Sequence, residues 1–198
     1  ELGLPIFLDL KLHDIPNTVG KAAKAIARVN PKMFNVHAST GMESIKAAAA
    51  NKGSAQLFAV TVLTSIKEDE CVSIFGKGPD AKVLEFAETL LALGVDGIIC
   101  APKEGLMLRR CGGFDKLIIA CPNIRPSWAG GTDDQDKNRQ MTPDQAIMAG
   151  IDMLVIGRPI TNPPKEIGGV VEAAKKIASE IEVALQDINF IKSNGGAA

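Results

Sequence analysis

Leu4-Pro5-Ile6-Phe7-Leu8-Asp9-Leu10-Lys11-Leu12-His13-Asp14-Ile15-Pro16-Asn17-Thr18 is an apolar run that turns into charge. Leu4 to Leu10, entered through a proline, has the length and composition of a short strand. Pro16 then opens a helix to about Val29. Side chains alternate faces along a strand, so Asp9 and Lys11 point the same way, about 7 Å apart along the chain. Asp14 follows in the turn before the helix, which gives an alternating Asp, Lys, Asp row. Charge at a buried strand end is costly unless it is paired or used. A structural ion pair at a loop and a functional charged cluster both fit that spacing.

Outward from this stretch the strand-then-helix pattern repeats. Met33 to His37, Gln56 to Val62, Val95 to Cys100, Lys116 to Cys121 and Asp152 to Ile156 read as strands. Helices are expected from Thr40-Gly41-Met42-Glu43 to Gly53, from Glu68 to Leu93 with a break at Gly76-Lys77-Gly78-Pro79, from Pro102 to Arg110, from Thr142-Pro143 to Ala149, and from Pro164 to Leu185. The tail from Ser193 to Ala198 looks frayed. Strict alternation with helical crossovers predicts parallel strands. Near-continuous apolar strands are what a sheet covered on both faces requires.

Two architectures satisfy that pattern, a doubly wound open sheet and a (β/α)8 barrel. The glycine fingerprint of a dinucleotide-binding open sheet is absent after the first strand. Six strand-helix units of about 30 residues account for the chain, whereas a closed barrel needs eight units and about 250 residues. Glu1-Leu2-Gly3 resembles a helix end with its glycine cap. The expected fold is therefore an α/β (β/α)8 TIM barrel in one domain over 1–198, N-terminally incomplete, with its first two units upstream.

The composition narrows the function. The 198 residues are 46% hydrophobic and 23% charged with a net charge of −1, which suits one sizeable core and offers no basic footprint for nucleic acid. No apolar stretch approaches the roughly 20 residues that span a bilayer, and no signal peptide is visible. Cys71, Cys100, Cys111 and Cys121 lack metal-ligand spacing, so a reduced, cytoplasmic setting is the simplest account. Cys121 adjoins a candidate loop, with packing as its expected role.

Polar residues gather where each strand ends: Asp9, Lys11 and Asp14; His37, Ser39 and Thr40; Thr61, Thr64 and Ser65; Pro122, Asn123 and Arg125; then Gly157, Arg158 and Pro159. In parallel α/β folds that carboxyl edge binds ligands. A glycine at a strand end exposes backbone N–H groups, and an adjacent arginine can grip an anion with two parallel hydrogen bonds. Gly157-Arg158 is thus a candidate phosphate site, with a turn glycine and a surface-paired arginine as the alternative. The loop Ser127 to Gln140 is long enough for a lid or for a plain surface loop.

Together these residues resemble one family. Asp9-Leu10-Lys11-Leu12-His13-Asp14-Ile15-Pro16-Asn17-Thr18 closely resembles the signature of the orotidine 5′-monophosphate decarboxylases. So do Val60-Thr61-Val62-Leu63-Thr64-Ser65, Pro122-Asn123-Ile124-Arg125-Pro126, Asp133-Asp134-Gln135 and Val155-Ile156-Gly157-Arg158-Pro159, in order along nearly the whole chain. The Ile-Pro-Asn-Thr extension makes the first motif specific, because related phosphosugar barrels share a bare Asp-x-Lys-x-x-Asp.

The resemblance implies decarboxylation of orotidine 5′-monophosphate to uridine 5′-monophosphate, with no metal and no organic cofactor. It implies a catalytic array of Asp9, Lys11 and Asp14, with Lys11 protonating C6 as carbon dioxide leaves. It implies a homodimer in which Asp14, Ile15 and Thr18 reach the neighbouring subunit's site. Thr64 would contact the base, Pro122 would line the pyrimidine pocket, and Arg125, Gln135, Gly157 and Arg158 would hold the nucleotide and its phosphate. The family's ribose-contacting aspartate and further lysine are expected before Glu1. Asn123 stands where the family commonly has glycine, and Gln135 to Gln140 is longer than usual. The rival readings are a Mg²⁺-dependent sugar-phosphate decarboxylase or synthase on the same barrel, and an inactive nucleotide-binding fragment.

Overall fold

A computed structural model describes residues 3–130 and 137–194. Six strands, β1 (Phe7–Leu12), β2 (Met33–His37), β3 (Gln56–Val60), β4 (Gly97–Ile99), β5 (Ile118–Cys121) and β6 (Met153–Leu154), form one sheet. Every neighbouring pair is parallel and the strands lie in the order of the chain. A doubly wound sheet reverses its strand order at a switch point; unbroken sequential order is the winding of a (β/α) barrel. The expected α/β barrel architecture, with six units present, is what the chain adopts.

The crossovers are α1 (Pro16–Val29), α2 (Met42–Asn51), α3 (Glu68–Phe75), α4 (Pro79–Ala92), α5 (Pro102–Cys111) and α6 (Pro143–Met148), followed after β6 by α7 (Arg158–Thr161) and α8 (Val170–Asn194). Alternation sorts the strand residues into two cores. Phe34, Val36, Leu57, Ala59, Ile98 and Ile119 face the helices, while Met33, Phe58, Val60, Ile99 and Ala120 fill the inner side with Phe7, Ile118 and Met153. Gly97 is required by the inner layer, because a Cβ there would lie 2.4 Å from the Phe58 ring and 2.6 Å from the Ile118 carbonyl oxygen.

Charges at the amino edge of the sheet are structural. Asp96 accepts the Leu57 N–H at 2.8 Å and pairs with Lys52. Asp152 accepts the Ile119 N–H at 2.7 Å and pairs with Arg109 at 2.5 Å, whose guanidinium also donates to the carbonyls of Phe114, Leu117 and Gly150. Each aspartate caps an N–H of the neighbouring strand, so the amino edge is sealed by partners within the chain.

Several boundaries differ from the expected ones for physical reasons. The first strand is Phe7–Leu12 rather than Leu4 to Leu10, so Lys11 as well as Asp9 lies inside it. The final helix does not run from Pro164: Lys165–Ile167 is a 3-10 turn, Gly168 and Gly169 take φ of +89° and +114°, and α8 starts at Val170. It continues past Leu185 to Asn194, taking in Ser193, and residues 195–198 of the expected frayed tail lie outside the described residues. The short helix α7 after Gly157 was not foreseen. The four cysteines are free thiols, and Cys121 is fully buried packing. Among the described residues, no helix is long and apolar enough to cross a membrane.

Candidate active site

The geometry of the site starts with an irregularity in β1. Leu8 pairs with Phe34 and Leu12 with Val36, so four steps of β1 oppose two of β2. The excess is absorbed where Lys11 takes φ of +51°, a left-handed backbone that non-glycine residues seldom adopt. With this kinked backbone, Lys11 Nζ lies 2.6 Å from Asp9 Oδ2. Both side chains are about half exposed, and an exposed ion pair contributes only about 0–1 kcal/mol to stability. Stability alone therefore gives little reason for the bulge.

Asn35, which sequence reasoning passed over, completes this cluster from β2. Its side chain is wholly buried, its Nδ2 donates to Asp9 Oδ1 at 2.7 Å, and its Oδ1 accepts the Lys11 main-chain N–H at 2.7 Å. Burial alone would push the Asp9 carboxyl up, but the hydrogen bonds from Lys11 and Asn35 and the nearby positive charge outweigh it and hold it below the usual carboxylate range. His37, at the end of β2, is pushed below the usual imidazole value by burial and then by His13 and Lys11. The two imidazoles meet edge to face with ring centroids 5.5 Å apart.

Asp14 does not join the pair. Its main-chain carbonyl accepts from Thr40 Oγ1 at 3.0 Å and Ser44 Oγ at 2.8 Å, its N–H donates to Thr40 Oγ1 at 3.1 Å, and its carboxylate accepts the Ile15 N–H at 2.7 Å. No ion pair to Lys11 forms among the described residues, so the expected three-charge row is, within one chain, a two-charge pair. The turn is pinned to the start of α2 while Asp14, Ile15 and Thr18 all point to solvent.

Two adjoining recesses run along the carboxyl edge. The first, of about 170 Å³, is lined by Phe7, Asp9, Lys11, Thr64, Ile99 and Pro122 among others. The second, of about 260 Å³, is lined by Pro122, Arg125, Val155, Gly157 and Arg158 among others. Pro122 and Val155 are common to both, so a charged pair and a guanidinium-lined recess share one wall. Asn123 takes φ of +63°, the conformation that glycine would favour, and asparagine is among the residues that tolerate it best. Asn123 thus fits the left-handed turn that leads to Arg125. Gln135 lies outside the described residues.

Arg139 and Glu104, like Asn35, are residues that the sequence did not single out. Both are almost fully buried, and Arg139 Nε donates to Glu104 Oε1 at 2.7 Å. The same guanidinium donates to the carbonyls of Leu63 and Ile66, both at 3.0 Å, and of Val62 at 3.4 Å. It therefore ties the end of the Ser127–Gln140 loop to the segment that presents Thr64. Burial pushes the Glu104 carboxyl up, although Arg139 opposes the shift. A lone arginine and a lone glutamate 35 positions apart carry no motif. Among the described residues, no three His, Cys, Asp or Glu side chains gather as a metal site.

Parallel units wound in chain order, with a paired lysine and an arginine-lined recess on the carboxyl edge, define a (β/α)-barrel protein whose ligand side is that edge. The model of the orotidine 5′-phosphate decarboxylase / HUMPS family matches residues 1–177, and the chain belongs to that family. It is 43% identical to orotidine 5′-phosphate decarboxylase of Heliobacterium modesticaldum, over 93% of this chain and 77% of that one. It is 44% identical to the enzyme of that name from Pseudoalteromonas translucida, over 89% and 76%. Among solved structures, orotidine 5′-phosphate decarboxylase from Lactobacillus acidophilus superposes with a TM-score of 0.70 at 32% identity, covering 90% of this chain and 76% of that one. The corresponding structure from Pyrococcus horikoshii shares the fold, with a TM-score of 0.66.

Proposed function

We propose that the protein converts orotidine 5′-monophosphate to uridine 5′-monophosphate and carbon dioxide, in pyrimidine nucleotide synthesis. The observation that carries this reading is Lys11 Nζ held 2.6 Å from Asp9 at the mouth of a recess that adjoins Arg125 and Arg158. The bond from C6 to the carboxylate breaks, its electron pair stays on C6, and carbon dioxide departs. Lys11 gives its proton to C6, and the charged ammonium stabilises the carbanion character that precedes transfer. Fixed charge aimed at developing charge is usually the largest catalytic term. Asp9 serves twice: it favours the protonated lysine and lies beside the departing carboxylate.

The nucleotide and its phosphate are assigned to Arg125, Gly157 and Arg158, which line the second recess, together with Gln135. Binding energy gained there, remote from C6, can be spent in the transition state. Thr64 and Pro122 are assigned to the base, in keeping with their place in the first recess. Asp14, Ile15 and Thr18 are assigned to the site of a second copy in a homodimer. Their exposure and the absence of an Asp14–Lys11 ion pair in the single chain support that reading.

The test is stoichiometric conversion of orotidine 5′-monophosphate to uridine 5′-monophosphate with and without a chelator. Equal turnover in both supports the proposal; turnover abolished by the chelator refutes it in favour of the Mg²⁺-dependent reading, and no turnover in either refutes it in favour of the inactive nucleotide-binding fragment.

A further inference from the structure

Asn35 sits in the middle of β2 between apolar neighbours, and alternation points it to the inner side with Met33. A buried amide is costly unless both of its ends are bonded. Here both ends are bonded, and both partners belong to the proposed catalytic pair. The donor holds Asp9 Oδ1 while Lys11 holds Oδ2, so the carboxylate is fixed at both oxygens. The acceptor takes the Lys11 N–H within the stretch of β1 where the register slips. One side chain thus fixes the plane of Asp9 and the left-handed backbone that aims Lys11.

We propose that Asn35 is a positioning residue of the reaction, setting the Asp9 carboxylate and the Lys11 backbone so that the ammonium meets the substrate at a fixed place. The chemistry rests on the proposed decarboxylation; the positioning rests on the hydrogen bonds alone. Asp9 is faced by Lys11 from its own strand and by His37 from β2, with Asn35 the neutral donor between them. Removing that donor raises the pH at which Asp9 takes up a proton. Activity that needs the carboxylate is lost as pH falls through its pKa, so the acid limb of kcat/KM moves to higher pH.

The experiment compares Asn35→Leu, which has similar size and no hydrogen-bonding groups, with Asn35→Asp, which keeps an acceptor for the Lys11 N–H and replaces the donor by a second acid. Carboxyl ¹³C NMR follows Asp9, assigned through Asp9→Asn, and thermal melts report folding. The expected result is an upward shift of the Asp9 titration in both variants. Steady-state kinetics are expected to show kcat down about 10- to 100-fold with KM nearly unchanged, as for a small misplacement of a reacting group. A folded variant with an unmoved Asp9 titration and wild-type kcat overturns the proposal. If Asn35→Leu does not fold, Asn35→Asp decides alone, through two carboxyl titrations driven apart. Absence of turnover in the wild type defeats the reaction reading, and the Asp9 titration still decides the positioning role.

Discussion

Replacing Arg139 by methionine isolates an ion pair at this edge that is almost fully buried. Among the described residues, the guanidinium makes four hydrogen bonds, one to Glu104 and three to the carbonyls of Val62, Leu63 and Ile66. Removing one partner of a buried pair leaves the other charge unpaired, at a cost of about 3–5 kcal/mol. Against a total stability of about 5–15 kcal/mol, that is a large fraction. Urea denaturation at pH 7 is the assay, and the midpoint should fall accordingly. The sign of the pH dependence follows from Glu104, whose folded-state pKa is raised by burial and rises further without Arg139. Its contribution to stability is therefore present in full below the ordinary glutamate value and lost as pH climbs through that value toward the raised one. The deficit of the variant should shrink on going from pH 7 to pH 5. Adding Glu104→Gln should cost less than the sum of the two single changes. A deficit below about 1 kcal/mol, or one independent of pH, would refute the reasoning.

Two further outcomes follow from the site. Arg158→Ala should weaken uridine 5′-monophosphate about 10- to 100-fold, as expected for a lost charge-assisted pair, while leaving uridine unaffected; isothermal calorimetry with both ligands checks this, and equal weakening contradicts the phosphate assignment. Ile15→Glu should shift sedimentation from dimer to monomer with the fold intact, since Ile15 is 65% exposed in the single chain; an unchanged dimer removes Ile15 from the interface.

The parts legible in sequence are those fixed by local chemistry. Pro16 fixes the start of α1, and its end after Val29 coincides with Asn30 at φ +51°. The break at Gly76-Lys77-Gly78-Pro79 separates α3 from α4 because glycine and proline act within their own turns. The Gly157 turn and the polar strand ends were visible for the same reason. What was hidden depends on register. Alternation alone sets Asp9 and Lys11 on one face but does not show the slip against β2 or the left-handed backbone at Lys11. Asn35 did leave a signal, a lone amide in Met-Phe-Asn-Val-His on the face shared with Met33. Its partners lie more than twenty residues away, so only the paired strands show its purpose. Glu104 and Arg139 left no comparable mark, because their partnership exists only in three dimensions.

The central claim is that Lys11 is the acid of a decarboxylation. Release of labelled carbon dioxide from carboxyl-labelled orotidine 5′-monophosphate, compared between the wild type and a folded Lys11→Ala variant, tests it most directly. Loss of both proton donor and fixed charge predicts a fall of at least about 10⁴-fold in turnover. Release by Lys11→Ala within about tenfold of the wild-type rate, a difference of only about 1.4 kcal/mol, would contradict it.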